Sequence, residues 1–122
     1  MSKHELIQMA LAGNSLSTKT LSPQMRRGAE LLLKVAPALG ATSARITSAK
    51  RSRAQQAVLY KNFLAGKAKF PAAPPGTSKH EKGMAVDIVV EPPEAQIALG
   101  RWWQEVGGTW GGQFQDPIHF EL

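Results

Sequence analysis

A single carboxylate inside an apolar strand constrains this chain more than any other feature. The run "MAVDIVV", residues 84–90, is rich in β-branched residues and almost continuously apolar, and its one charge is Asp87. That composition predicts a strand. Side chains alternate across a strand, so Met84, Val86, Ile88 and Val90 share one face while Ala85, Asp87 and Val89 share the other. The first set is the core face. On the second, the small Ala85 beside Asp87 predicts space above the sheet for an ion or a substrate.

Two of the three histidines lie in segments that bear on this carboxylate: His80 in "SKHEKGMAVDI" (78–88) and His119 in "DPIHFEL" (116–122). His80 and Asp87 are seven residues apart, so an unbroken strand would point them to opposite sides. Gly83 lies between them and can supply the turn that reunites them. Near the C-terminal end, Ile118, Phe120 and Leu122 alternate with His119 and Glu121. The apolar trio is expected to pack inward and His119 to project from the other face. Asp116 precedes Pro117, which holds it extended, and a bend there could carry Asp116 to the same pocket as His119.

Two neutral imidazoles and a carboxylate form a three-ligand set for catalytic Zn²⁺, with a fourth position open to water. A further carboxylate that is not a ligand can take a proton as that water attacks, and Asp116 suits this role. The ordinary alternatives are a loop histidine, a hydrogen-bonded aspartate and a histidine on a strand surface. Spacing alone does not separate the two readings.

The rest of the chain reads as short elements around this strand. Ser2 with Glu5 predicts a helix over about residues 3–12, followed by the polar linker "NSLSTKT". Ser22-Pro23 opens a second helix, which Pro37 and Gly40 end. "SARITS" (43–48) reads as a strand, and Ser52 with Gln55 caps a helix that Gly66 terminates. An irregular Pro- and Gly-containing loop precedes the Asp87 strand. Pro92-Pro93 begins another helix that Gly107-Gly108 ends, and "TWGGQF" and "IHFEL" are the last two strands. Helices interleaved with short strands predict an α+β fold: a small, mainly antiparallel sheet with flanking helices, in one domain spanning 1–122.

Composition narrows the chemistry. With no cysteine there is no disulfide, no thiolate nucleophile and no zinc site with sulfur ligands. No stretch approaches the ~20 apolar residues of a membrane span. The N-terminal segment lacks the pattern of a secretion signal, so synthesis in the cytoplasm is expected. The net charge of +6 is uneven: residues 1–70 hold twelve Lys/Arg and two Glu, whereas residues 71–122 hold three and seven acids. The basic front half suits an anionic partner, and the acidic second half suits a cation.

The pattern His-x-x-Gly-x-Ala-x-Asp in "HEKGMAVD", with an acidic residue three before a histidine in "DPIH", resembles the zinc D-alanyl-D-alanine carboxypeptidase family. That family includes D-Ala-D-Ala dipeptidases and bacteriophage L-alanyl-D-glutamate endopeptidases, and it shares the Hedgehog-type α+β zinc fold. The resemblance runs from about Ile46 to Leu122. It implies Zn²⁺ held by His80, Asp87 and His119, with Asp116 as catalytic base. "SAKRS" resembles the family's Ser-Gly-Tyr-Arg-Ser segment. This places Arg51 on the arginine that steadies the substrate carbonyl or its developing oxyanion. Gln56 falls on a glutamine of the next helix and Ser78 on a serine near bound substrate, so both are expected to bind substrate. Ala49 and Lys50 replace the family's Gly-Tyr and alter the pocket wall beside Arg51.

Dipeptidases and many carboxypeptidases carry glutamate where this chain has Asp116. The aspartate, together with "TWGG" followed by "HFEL", is more like the phage branch. The resemblance therefore implies a zinc-dependent peptidoglycan peptidase of endolysin type that cleaves the stem peptide, at L-alanyl-D-glutamate. The alternatives are a D-alanyl-D-alanine carboxypeptidase or dipeptidase and a non-catalytic wall-binding virion module. The expected partner is the stem peptide, with no nucleic acid, and the protein is expected to be a monomer acting at the cell wall after release or within a virion. The cluster "KRSR" (50–53) is too short to carry a nucleic-acid reading. Trp102-Trp103 and Trp110 are expected to pack structurally, His4 to be solvated and Glu81 to be exposed. Glu121 reads equally as a partner of His119 or as a solvent-facing carboxylate.

Overall fold

Residues 15–122 are described by the structure, a computed structural model. The helix expected over residues 3–12, and His4 with it, lies outside them. Ser22 accepts the Met25 N–H at 3.2 Å, and Pro23 takes the first helical position of α1 (Pro23–Val35). A 3₁₀ turn, Ala36–Leu39, leads to β1 (Ser43–Ser48). The next helix, α2 (Arg53–Leu64), opens with the full capping box expected of Ser52 and Gln55. After the long loop come β2 (Ala85–Glu91), α3 (Pro93–Glu105), β3 (Thr109–Trp110) and β4 (His119–Glu121).

The four strands run in the order β1-β2-β4-β3, with each neighbouring pair antiparallel. This is the expected α+β architecture. Met25, Ala29 and Leu32 of α1 and Ala95, Leu99 and Trp103 of α3 share one core with Ile46, Val86, Ile88 and Phe120. Burying each large side chain here contributes about 1.5–3 kcal/mol. Register keeps these strand residues on one face, with Ile46 opposite Ile88 and Val86 opposite Phe120. The opposite face is left for Asp87 and His119.

Several expectations are corrected. Only Thr109 and Trp110 of "TWGGQF" are strand, and Gly111–Phe114 forms a 3₁₀ turn. The chain leaves the sheet there because residues 111–118 must loop back to start β4. Leu122 is 37 % exposed rather than packed inward; it follows the last strand residue, and alternation fixes a face only within a strand. Ala85 is fully buried, so it is not what opens space above the sheet. The β1–β2 register also slips between Ile46 and Ser48, so that Ser48 pairs with Asp87. Such a bulge re-aims side chains at a strand end.

Candidate metal centre and active site

His80 reaches Asp87 through a short 3₁₀ helix, Lys79–Lys82, and a glycine turn. Ser78 caps that helix by accepting the His80 N–H at 3.2 Å. Glu81 reciprocates by accepting the N–H groups of Ser78 at 3.1 Å and of Gly76 at 2.9 Å. Glu81 is thus half-buried and structural, where exposure was expected. Gly83 sits in the left-handed region at φ 68 and turns the chain into β2. A Cβ there would stand 3.1 Å from the Ser22 nitrogen.

The two imidazoles have defined donor and acceptor roles. His80 Nδ1 lies 2.8 Å from the Ala49 carbonyl oxygen, which can only accept, so Nδ1 carries the hydrogen. Nε2 then faces Asp87 Oδ1 at 3.1 Å. Two lone pairs meet there unless a proton or a metal cation lies between them. His119 Nε2 donates to Glu121 Oε1 at 2.8 Å, which turns Nδ1 toward Asp87 Oδ1 at 3.5 Å. Asp87 stands opposite His119 in the β2–β4 ladder. The three ligand atoms lie within 4.8 Å of one another. Two nitrogen lone pairs and one carboxylate oxygen converging in this way fit Zn²⁺.

The second oxygen of Asp87 is occupied from the other side. Arg51 Nη2 donates to Asp87 Oδ2 at 2.8 Å, Nη1 to Gln56 Oε1 at 3.1 Å and Nε to Ser48 Oγ at 2.8 Å. Burial opposes ionisation of Asp87, but hydrogen bonds from His119 and His80 and the Arg51 charge outweigh it. Its carboxyl is held far below the usual range. Burial also opposes protonation of His119, yet its bonds to Asp87 and Glu121 prevail and raise its pKa. Metal binding displaces the proton so favoured.

Asp116 lines the same cleft, a cavity of about 710 Å³ bounded by the 68–73 loop, Leu59 of α2, Phe114 and the two histidines. Burial, and then the nearby Asp87 charge, push its pKa up from 3.8 to about 6. Its backbone is tied down: Asp116 N–H donates to Gly111 O at 3.0 Å, and Asp116 O accepts the His119 N–H at 3.1 Å. The carbonyl of Pro117 takes two donors, Trp110 Nε1 at 2.7 Å and Gln96 Nε2 at 3.0 Å. Backbone hydrogen bonds thus hold the segment that carries this carboxyl beside His80, Asp87 and His119.

A family model described as VanY, D-alanyl-D-alanine carboxypeptidase, matches residues 18–113. The chain belongs to the VanY family. The match stops short of Asp116 and His119; the β2–β4 pairing and the Gly111 turn bring these two beside His80 and Asp87. No curated protein matches the chain.

Solved structures share the fold. The VanY D,D-pentapeptidase of a VanB-type vancomycin-resistance cassette, solved with Zn(II), is 20% identical with a TM-score of 0.62, over 89% of this chain and 76% of that one. The L-Ala D-Glu endopeptidase ChiX of Serratia marcescens is 22% identical with a TM-score of 0.61, over 99% and 95%. The vancomycin-resistance D,D-dipeptidase VanXYg is 17% identical with a TM-score of 0.61 over 84% of this chain. The chain spans half the length of that dipeptidase.

The candidate catalytic, substrate-binding and metal-binding residues all line this cleft, though in different ways. His80, Asp87, His119 and Asp116 line it together. Arg51, expected at a substrate carbonyl, also lines it but is turned to Asp87. Gln56 is buried with both amide atoms engaged, accepting from Arg51 and donating to Ala73 O at 2.9 Å. Ser78 is buried as the cap of the His80 helix. Glu121 is a partner of His119, and Trp103 and Trp110 are core residues as expected. Ser48, Gly111 and Gln96 were missed. A serine at a strand end, one glycine of a pair and a helical glutamine carry no pattern of their own. The orienting group for His80, a backbone carbonyl, has no signal in sequence at all.

Proposed function

We propose that this VanY-family protein is a zinc-dependent peptidoglycan peptidase of endolysin type, hydrolysing the L-alanyl-D-glutamate bond of the stem peptide. The observation that carries the reading is the convergence of His80 Nε2, His119 Nδ1 and Asp87 Oδ1 with Asp116 in the same cleft. Zn²⁺ bound there would supply a Lewis acid for the scissile carbonyl and bring the pKa of the attacking water near 7. His80, Asp87 and His119 hold the ion. Asp116 accepts the proton released as water attacks and delivers it to the leaving amine. Arg51 holds Asp87 in its ligating rotamer, and the N–H groups it does not spend on protein oxygens can meet the developing oxyanion. Gln56 and Ser78 act on substrate through the wall they hold in place.

The choice of bond is supported by the near end-to-end match to the Serratia endopeptidase. A D-alanyl-D-alanine carboxypeptidase is the second reading, favoured by the description of the family itself. In either case the protein works at the cell wall, reached by release from the cell or as part of a virion, on the stem peptide and as a monomer.

Digestion of purified peptidoglycan with the zinc-loaded protein, followed by mass spectrometry of the muropeptides, tests this. New D-glutamate amino termini are expected. Release of free D-alanine would transfer the assignment to the second reading, and no chelator-sensitive amide cleavage would sink both.

A further inference from the structure

We propose that Lys69 is a specificity-determining residue, whose ammonium binds the free carboxylate of the glutamate on the amine side of the bond that is cut. Three cationic side chains line the cleft: Arg51, Lys69 and Lys79. Arg51 pairs with Asp87, while Lys79 Nζ donates to Leu122 O at 2.7 Å and stands 3.6 Å from Glu121 Oε2. Lys69 takes part in no ion pair among the described residues. It is exposed, so its charge is open to a ligand. Its Nζ lies 5.5 Å from the centroid of the Phe70 ring, within reach of a cation–π contact. Phe70 lines the cleft as well, and its ring draws the ammonium to the wall.

The remaining charges of the cleft say what this cation meets. Its carboxylates, Asp87, Asp116 and Glu121, come from β2 and the 116–121 stretch. Residues 31–80, which supply Leu59 and the 68–73 loop to the lining, hold nine Lys/Arg and no acid. A glutamate has two carboxyl groups and the onward amide uses one, so an alanyl-glutamate bond always has a further carboxyl beyond it. When ionised, that group enters a cleft with three carboxyls of its own and is repelled unless a cation meets it. Lys69 is the lining cation left for it. Phe70 and Pro71, its apolar neighbours in the same wall, strengthen such a pair by displacing water. The inference rests on the cleft receiving the stem peptide, the reading proposed above.

Calorimetry with the zinc-loaded Asp116→Asn protein, chosen so that peptide is bound and not consumed, tests it. The probes are synthetic stem peptides with all carboxylates free, with only the glutamate carboxylate amidated, or with only the terminal carboxylate amidated. Amidating the glutamate is expected to weaken binding by about two- to fivefold, the range for a pair with an exposed lysine. That difference should vanish when Lys69→Met is added and persist with Lys67→Met, a lysine outside the cleft lining. Each variant is compared with itself on paired peptides, so a folding defect does not imitate the result. A difference that is absent, that survives Lys69→Met, or that Lys67→Met removes equally overturns the proposal, as does failure to bind any peptide. A Lys69-dependent response to the terminal carboxylate alone also overturns it and assigns the lysine to the carboxypeptidase reading. Digestion of peptidoglycan by the unaltered protein decides the peptidase reading separately. Cleavage at L-alanyl-D-glutamate with no response to amidation would sink this inference and leave that reading intact.

Discussion

Asp87 divides its two oxygens between opposite demands, and Arg51 enforces the division. Oδ2 lies 2.8 Å from Arg51 Nη2, while Oδ1 lies 3.1 Å from His80 Nε2 and 3.5 Å from His119 Nδ1. The ion pair stops the carboxylate from rotating, so one oxygen always faces the two imidazoles. Because the pair is largely buried, removing the cation leaves Oδ2 without a partner.

Arg51→Ala is therefore expected to weaken zinc binding by roughly 10–100-fold, as loss of a residue orienting a ligand does. Arg51→Lys should not restore it, because one ammonium cannot hold Asp87, Gln56 and Ser48 in the plane that the guanidinium spans. Competition with a chromophoric chelator measures the affinity. A role confined to the substrate oxyanion would instead lower kcat and leave the affinity unchanged.

Asp116→Asn should retain stoichiometric zinc and lose turnover by roughly 10²–10⁴-fold, the usual contribution of a positioned proton carrier. The base works only when ionised, and its pKa without metal is raised to about 6. A bound cation lowers that value. The acid limb of kcat/KM is thus expected at or below about pH 6 and should be absent from the residual activity of the variant. Metal analysis and a pH profile on one defined muropeptide distinguish this from loss of the site.

The sequence disclosed the metal site better than it disclosed what holds it. Side-chain type and strand parity singled out His80, Asp87 and His119, with Gly83 required between the first two, but spacing left ordinary roles open and the family resemblance is what implied them as ligands. The capping boxes at Ser52 and the Pro-initiated helices were legible because their hydrogen bonds close within four residues. What could not be read depends on distant contacts. Ser48 meets Asp87 only because a bulge slips the β1 register. The carbonyl of Ala49 orients His80 across 31 residues of chain. Gln96 pins Pro117 from the far side of the sheet, bonding Val90 and Ile88 as well.

The metal-free protein should lose stability as pH rises from about 5 to 8. Folding raises the pKa of Asp116 from 3.8 to about 6, so its contribution is complete below 3.8 and is lost as pH rises through 6. His119 also has a raised folded pKa, so its contribution is full below 6.5 and is lost above that as the imidazolium deprotonates. Asp87 acts in the opposite sense, but its pKa is so depressed that its contribution is lost only at pH values far below this window. Zinc competes with the His119 proton and binds more tightly as pH rises. Thermal unfolding across pH 5–8 should give a falling Tm after chelation and a widening gap between the zinc-loaded and chelated forms. A chelated protein whose Tm rose over that range would contradict the placement of Asp116 and His119.

Gly111 is where the cleft depends on the absence of a side chain. A Cβ at this position would stand 2.3 Å from the Asp116 carbonyl oxygen and 2.9 Å from His119 Cβ. The first contact is with backbone that is already committed, since that carbonyl accepts the His119 N–H and Asp116 N–H donates to Gly111 O. It cannot be relieved by a rotamer change. The 111–118 loop must move, and it carries the Asp116 carboxyl together with the approach to His119. Gly111→Ala is expected to cost about 1–3 kcal/mol of stability, the range for overpacking. Turnover should fall further than the unfolded fraction explains, because a displacement near 1 Å at a reacting group costs on the order of 10²-fold. Denaturant unfolding and muropeptide turnover, measured at a temperature where the variant is fully folded, separate the two effects. Normal turnover in the folded variant would show that Asp116 need not occupy this position for the reaction.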